Sequence, residues 1–281
     1  MKKILAGALV CMIGIICFSE QLFYEPFDYS AGGKIRGERG GVGFGSDSWH
    51  GKSGPQGDMY VTWSGLSFSD MPVCGNAVLL DMHSTGDGDG INLTRSLERA
   101  LKKGTLWVSF LYKYDGVTQD SFLENIMAFV RFQSKSNKSI RFRMRCNSLT
   151  TGGIAVRQSG DKWMEGVCSK PSIADGNVYL IICRFPGLGT PEGGSPIIWA
   201  FLESGYENLK SKRGAITEAD LTENVVVSAI GGCASAEMKD DDFINLGLFA
   251  RKENTRFSVS FDELRAGTDL SDVLILKDAS K

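Results

Sequence analysis

With 281 residues and a formal net charge of −2, the chain lacks the basic surplus that general nucleic-acid binding draws on. Its 34 glycines are scattered, without low-complexity blocks or long polar runs, which points to many tight corners rather than to disorder. The length suits one large β domain, because sandwiches reach roughly 200–250 residues as single units.

The chain opens MKKILAGALVCMIGIICFSEQ. Lys2 and Lys3 form a positive start, and Ile4 to Phe18 is an apolar run shorter than the roughly 20 residues a membrane helix needs. Cys17 and Ser19 are small residues at the spacing a signal peptidase reads, so residues 1–19 are expected to be a secretory signal peptide cleaved after Ser19. An uncleaved anchor is the alternative. Lipidation at Cys11 or Cys17 is disfavoured, because Val10 and Ile16 are not the small residues that precede a lipidated cysteine. No later segment is long and apolar enough to span a membrane, so the mature chain is expected to be secreted, periplasmic or held at the cell surface. Five cysteines remain in it: Cys74, Cys146, Cys168, Cys183 and Cys233. The odd number and the spacing match no zinc pattern. One or two disulfides are compatible with an exported protein, and their pairing is open. Cys146 and Cys183 fall on the apolar side of strand-like runs and read as core residues.

Strand signals then recur in order. Asp58–Phe68 contains MYVTW and LSF; Asn76–Met82 and Gly90–Leu97 follow, and SLERALK at Ser96–Lys102 reads as a short helix. Thr105–Tyr114 alternates, with Leu106, Val108, Phe110, Tyr112 and Tyr114 on one side. Next come Ile126–Gln133, Ser139–Cys146 and Ile154–Gln158. Val178–Phe185 is apolar on both faces, and Ile197–Leu202 and the VVVSAI run complete the middle of the chain. Asp70–Val73 and Asp120–Asn125 read as single turns. At the end, FINLGLFAR and FSVSFDELRAG read as a closing pair, the second half-buried with Phe257, Val259 and Phe261 inward and Ser258, Ser260 and Asp262 outward. Many short strands bounded by Gly, Asn, Asp and Pro predict an all-β, two-sheet antiparallel sandwich.

Phe261-Asp262-Glu263-Leu264-Arg265-Ala266-Gly267-Thr268 resembles, residue by residue, the closing strand of laminin-G-like, concanavalin A-like jelly-roll domains. The order VYLIICRF, IIWAFLE, long loop, INLGLFAR is similar too. Tyr24 to Tyr29, with Gly37, Gly40 to Phe44 and Trp49, resembles the start of secreted bacterial proteins that carry this domain. The resemblance implies one jelly-roll domain from residue 20 to 273, with 274–281 as a tail, and a carbohydrate- or protein-binding role without a particular activity. Within the signature, Asp262 and Glu263 are expected to accept backbone N–H bonds, Arg265 to pair with one of them, and Gly267 to take a positive φ.

Several residues are candidates for chemistry. Glu218, Asp220 and Glu223 spell E-x-D-x-x-E, similar to the catalytic strand of laminarinase-type glycoside hydrolases. That chemistry needs two carboxylates about 5–5.5 Å apart, whereas this segment reads as a loop or a short helical turn capped by Thr217. Asp87 and Asp89, with Asn92, suggest calcium, although an EF-hand's closing Glu is missing and a Gly-Asp hairpin explains the same residues. Arg141, Arg143 and Arg145 alternate with apolar residues, so their guanidiniums are expected on one outer face with Arg131 beside them. There they would grip sulfate or carboxylate groups of an anionic polysaccharide, or pair with acids on a neighbouring strand. Of the five tryptophans, Trp163 is expected on a loop tip, where it would stack on a sugar, while Trp107 and Trp199 are expected in the core. Neither His50 nor His83 has triad spacing, and the GGVGFG run lacks phosphate-loop spacing. No cofactor other than calcium is implied. Three readings follow, in order: a secreted glycan-binding module, a cell-surface or matrix protein-interaction module, and a jelly-roll glycosidase or lyase.

Overall fold

The computed structural model describes residues 20–52, 57–82, 90–116, 126–148, 151–158, 164–168, 173–188, 194–231, 242–251 and 257–276. Residues 1–19, expected to be a signal peptide, lie outside them, as do Asp87, Asp89, Trp163 and Cys233. Among the described residues the strands are β1 (Gln21–Glu25), β2 (His50–Lys52), β3 (Gly57–Val61), β4 (Val78–Met82), β5 (Ile91–Leu101), β6 (Gly104–Tyr114), β7 (Ile126–Ser134), β8 (Ser139–Ser148), β9 (Thr151–Gln158), β10 (Met164–Cys168), β11 (Val178–Leu188), β12 (Ile197–Phe201), β13 (Val227–Ile230), β14 (Phe243–Arg251) and β15 (Phe257–Gly267). Two helices, α1 (Glu203–Ser211) and α2 (Glu218–Asn224), separate β12 from β13.

The strands form the expected antiparallel two-sheet jelly-roll sandwich. The first sheet runs β13-β12-β11-β6-β15-β4-β3 with β1 also on β15, and the second runs β10-β9-β8-β7-β14-β5-β2. Alternation decides which side chains meet between the layers. From β6, Leu106, Val108, Phe110, Tyr112 and Tyr114 enter the central core, as do Ile140, Phe142 and Met144 from β8. β11 is buried on both faces: Tyr179, Ile181, Cys183 and Phe185 point inward, and Leu180 and Ile182 point outward. Cys183 is therefore a core residue with a free thiol, and Cys74 is free and exposed; the side chain of Cys146 lies outside the described residues.

Three expectations are corrected. SLERALK is strand rather than helix: β5 continues to Leu101, with Ser96 in register with Asn245 and Leu101 with Phe243. Leu97 and Leu101 are core residues, so pairing and burial override a modest helix propensity. The terminal pair is not a hairpin, because β14 lies between β5 and β7 in the second sheet while β15 lies between β4 and β6 in the first. Nor is β15 half-buried. All eleven of its residues are buried, because it is central in a sheet covered on both sides.

That cover is a second apolar layer on the outside of the first sheet. Trp107, Leu111, Leu180, Ile182, Trp199 and Phe201 from the strands meet Phe68 and Met71 from the 62–76 connection, Tyr206 and Leu209 from α1, Leu221 from α2, and Val273 and Leu274. Leu66 to Phe68, read as strand, instead supply part of this lid. The chain stays packed beyond Val273, since Tyr206 donates to Ile275 O at 2.6 Å.

The β15 signature locks the lid to the sheet. Asp262 accepts the N–H of Leu66 at 2.7 Å and of Glu263 at 2.7 Å. Glu263 accepts the Cys74 N–H at 2.6 Å and the Tyr24 hydroxyl at 2.9 and 3.0 Å, and pairs with Arg265, whose guanidinium carbon lies 4.0 Å from the centre of the Tyr24 ring. These contacts hold Glu263 at φ +51 in a bulge within the strand, a conformation that non-glycine residues rarely take. The carboxylates thus cap backbone as expected, but from mid-strand. The positive φ belongs to Glu263 rather than to Gly267. Gly267 is needed for space: a Cβ there would lie 2.1 Å from the Asp272 side chain.

Candidate functional site

With the first sheet covered outside, the outer face of the second sheet is the remaining broad surface, and the strand register determines what lies on it. One row across six strands places His50, Thr94, Gly247, Arg131, Arg141 and Arg157 side by side. At about 4.8 Å per strand such a row is about 24 Å long. The adjacent row holds Lys52, Asn92, Phe249, Phe129, Arg143 and Ala155. Their sequence neighbours Leu93, Leu248, Val130, Phe142 and Val156 all lie in the core, so period two sends these rows outward.

Arg131 and Arg141 directly face one another across the β7–β8 pair. Such like-charged pairs are usually destabilising. Burial, and then the charge of Arg141, depress the proton affinity of Arg131 below the ordinary arginine value. Its Nη2 donates to Asn92 Oδ1 at 3.0 Å. To do so the side chain crosses β14 at Gly247, where a Cβ would lie 3.2 Å from Thr94 Cγ2 and 3.5 Å from Arg131 Nε. Among the described residues no carboxylate meets the Arg131 guanidinium. Beside it, Phe129 and Phe249 stack with centroids 4.2 Å apart and planes 19° apart, and the Arg141 guanidinium carbon is 5.7 Å from the Phe129 centroid. The result is a positively charged strip bordered by an aromatic pair.

At the β2 end, Asp47 accepts the N–H of Ser96 at 3.2 and 3.3 Å and its hydroxyl at 2.9 Å. His50 Nδ1 lies 2.9 Å from Ser48 O, so it carries the proton; Nε2 is 3.4 Å from Thr94 Oγ1, and Asp47 Oδ2 is 3.5 Å from Nδ1. Hydroxyl, imidazole and carboxylate thus occur in series, a neighbourhood that sequence spacing did not reveal. The imidazole N–H is engaged by a backbone carbonyl and the carboxylate by Ser96. Chemically this is a polar clasp between the residue 47–50 segment and β5, not an activated nucleophile.

The arginine ladder lies on the expected strand face, but it is not uniformly open. Arg141 is half-buried and Arg143 is only 4% exposed; the side chain of Arg145 lies outside the described residues. Asn92 serves as the partner of Arg131. Among the described residues no cluster of three or more His, Cys, Asp or Glu side chains is placed to hold a metal. Glu218, Asp220 and Glu223 lie on α2, over the covered face, in separate contacts. Glu218 pairs with Arg184. Asp220 forms a capping box with Thr217 and an ion pair with Lys212, which together lower its pKa to about 2. Glu223 is 3.4 Å from Lys212. The acids are helix-capping and surface-pairing groups. Trp49, Trp107 and Trp199 are buried, and Trp63 is the tryptophan that the described structure exposes.

No protein-family model matches the chain, and no curated protein matches it in sequence. Solved structures resemble it in the arrangement of strands. Lectin I-B4 from Griffonia simplicifolia, in its metal-free form, aligns at a TM-score of 0.43 and 6% identity over 67% of this chain and 86% of the lectin. The Bacillus licheniformis beta-glucanase aligns at 0.40 and 9% identity over 87% of this chain and 96% of the enzyme. The CBM2 module of an evolved Dit protein from Lactobacillus casei BL23 phage J-1 aligns at 0.44 and 7% identity, covering 89% and 95%. Among the described residues no helix is long and apolar enough to cross a membrane.

Proposed function

We propose that this protein is an exported, non-enzymatic carbohydrate-binding module that takes an anionic polysaccharide on the outer face of its second sheet. The observation that supports this most directly is the opposition of Arg131 and Arg141 beside the Phe129–Phe249 stack. Two guanidiniums rise from facing backbone positions, Arg131 reaching across β14 to a neutral amide and Arg141 lying near the Phe129 ring, and a sulfate or carboxylate on this face would offset their charge and accept N–H bonds. Of the neighbouring rings, Phe129 is buried and the half-buried Phe249 offers an apolar surface to the sugar that carries the anion. Arg143, Arg145 and Trp163, the other candidates from the sequence, belong to the same proposal. Residues 1–19 serve as the export signal, which N-terminal sequencing of the mature protein tests.

Retention on dextran sulfate and on alginate, measured against salt, tests the binding role. Wild type should be retained and should release as salt rises, because phosphate-like and sulfate-like contacts are screened. Arg131→Gln should lose about tenfold or more in affinity, the scale of a charge-assisted contact, while Glu218→Gln should bind like wild type. Equal retention of wild type and Arg131→Gln would remove the face from consideration. Repeating the measurement with a chelator tests whether calcium at Asp87 and Asp89 contributes.

A further inference from the structure

We infer that Trp63 is a second sugar contact, a stacking platform for the C–H face of a neutral pyranose, independent of the guanidinium strip. The side chain is 83% exposed, yet the backbone that presents it is tightly framed. Val61 donates to Gly33 O at 2.8 Å and accepts from the Gly32 N–H at 2.8 Å, and Thr62 N donates to Ala77 O at 2.8 Å. The Thr62 hydroxyl turns back into the frame, 2.6 Å from Ser64 O and 3.0 Å from Ala77 O, and accepts the Ala77 N–H at 2.9 Å. Gly32, at φ +77, lies against the edge of the ring: a Cβ there would be 3.3 Å from Trp63 Cζ2. The backbone is fixed on both sides, a glycine backs one edge, and the rest of the indole faces solvent.

An apolar ring held ready at the surface, with little of its area used for folding, is pre-organised for a ligand. The chemistry around it narrows the class. Its chain neighbours are Thr62 and Ser64, and Gly32 lies against it, so nothing bulky or charged among these frames the ring. A stable protein interface covers about 800 Å² on each partner around an apolar centre, whereas an isolated indole among small residues matches the size of one sugar ring. Trp63 follows β3 on the edge of the first sheet, whereas Arg131 and Arg141 lie on the outer face of the second. The choice of a sugar as ligand rests on the carbohydrate reading above; the exposure and the frame do not.

Native gels cast with a neutral polysaccharide (a soluble β-glucan, a xylan or a galactomannan), or with dextran sulfate, test the two contacts separately. Wild type should be retarded by at least one neutral polymer. Trp63→Ala should lose about tenfold of that affinity, the worth of one stacked ring, and Trp63→Phe should recover part of it. Both variants should melt like wild type, because the side chain supports no core, and both should keep full retardation by dextran sulfate. Arg131→Gln should show the converse. If the neutral gels leave wild type unretarded, or retard Trp63→Ala equally, the Trp63 site is refuted, whatever the dextran sulfate gel shows. If dextran sulfate alone has no effect, the anionic reading falls and the Trp63 site stands.

Discussion

The two outer faces of this sandwich share the strand alternation but differ in what it turns outward. On the first sheet, Trp107, Leu111, Leu180, Ile182, Trp199 and Phe201 look outward and are buried under two helices, a connection and the segment after β15. On the second sheet the outward rows are mostly polar or cationic, and their one stacked aromatic pair is flanked by arginine. A sheet face that reads apolar calls for cover, and the chain supplies it. On the second sheet Phe129 and Arg143 are buried, whereas Asn92, Thr94, Arg131 and Arg141 stay partly exposed and can meet something that is not part of the chain.

The sharpest way to break this contrast is to damage the covered face. Trp199→Ala removes a fully buried ring stacked on Trp107 at 6.1 Å and should cost about 3–5 kcal/mol in urea denaturation. Phe249→Ala on the open face should cost clearly less, since that ring is only half-buried; equal losses would show that both faces are structural. A second probe is pH. Burial outweighs two backbone N–H bonds and pushes Asp262 up to about 8, and burial raises Glu25 as well despite its Arg95 neighbour. The folded chain then binds more protons than the unfolded chain from about pH 4, where an unfolded Asp titrates, up to the raised value. Stability should therefore fall as pH rises through that window, and Asp262→Asn should flatten the slope of Tm against pH. A smaller loss, about 1 kcal/mol, is expected for Thr217→Ala, which opens the capping box of α2. Smallest, and opposite in sign, is Arg131→Gln. Removing one of two like charges on facing strand positions should stabilise the fold by roughly 0.2–1 kcal/mol while weakening dextran sulfate binding. A variant that loses both stability and binding would make Arg131 a structural residue.

Much of the fold was legible because bulky apolar residues at period two leave few choices for a strand's inner face; β6, β8 and β11 follow their sequences closely. The layer change between β14 and β15 was not legible, since alternation is the same whether the next strand pairs beside its predecessor or joins the opposite sheet. Helix α1 was hidden by Gly205, which reads as a breaker but is required where Asn224 O approaches: a Cβ would lie 2.2 Å from it. At the site, the Arg141–Arg143 alternation was visible and the facing position of Arg131 followed from the turn at Asn137, which takes φ +63. Asn92 and Gly247 carried no signal, because their adjacency to Arg131 exists only once β14 has inserted between β5 and β7. Trp63 lies in the stretch read as strand, which predicts packing in the core or at a corner, yet it is exposed. Its exposure comes from a frame built by residues 32–33 and 77, not from its own surroundings in the sequence.

The placement of β14 and β15 also constrains how the polypeptide matures. β15 bonds to β1, β4 and β6, and β14 to β5 and β7, so each layer lacks a middle strand until β14 and β15 have been synthesised. Up to that moment the strands on either side of each gap have unpaired edges, open to proteases and to wrong partners. β14 and β15 then close both layers together, so one contiguous stretch of chain completes the sandwich.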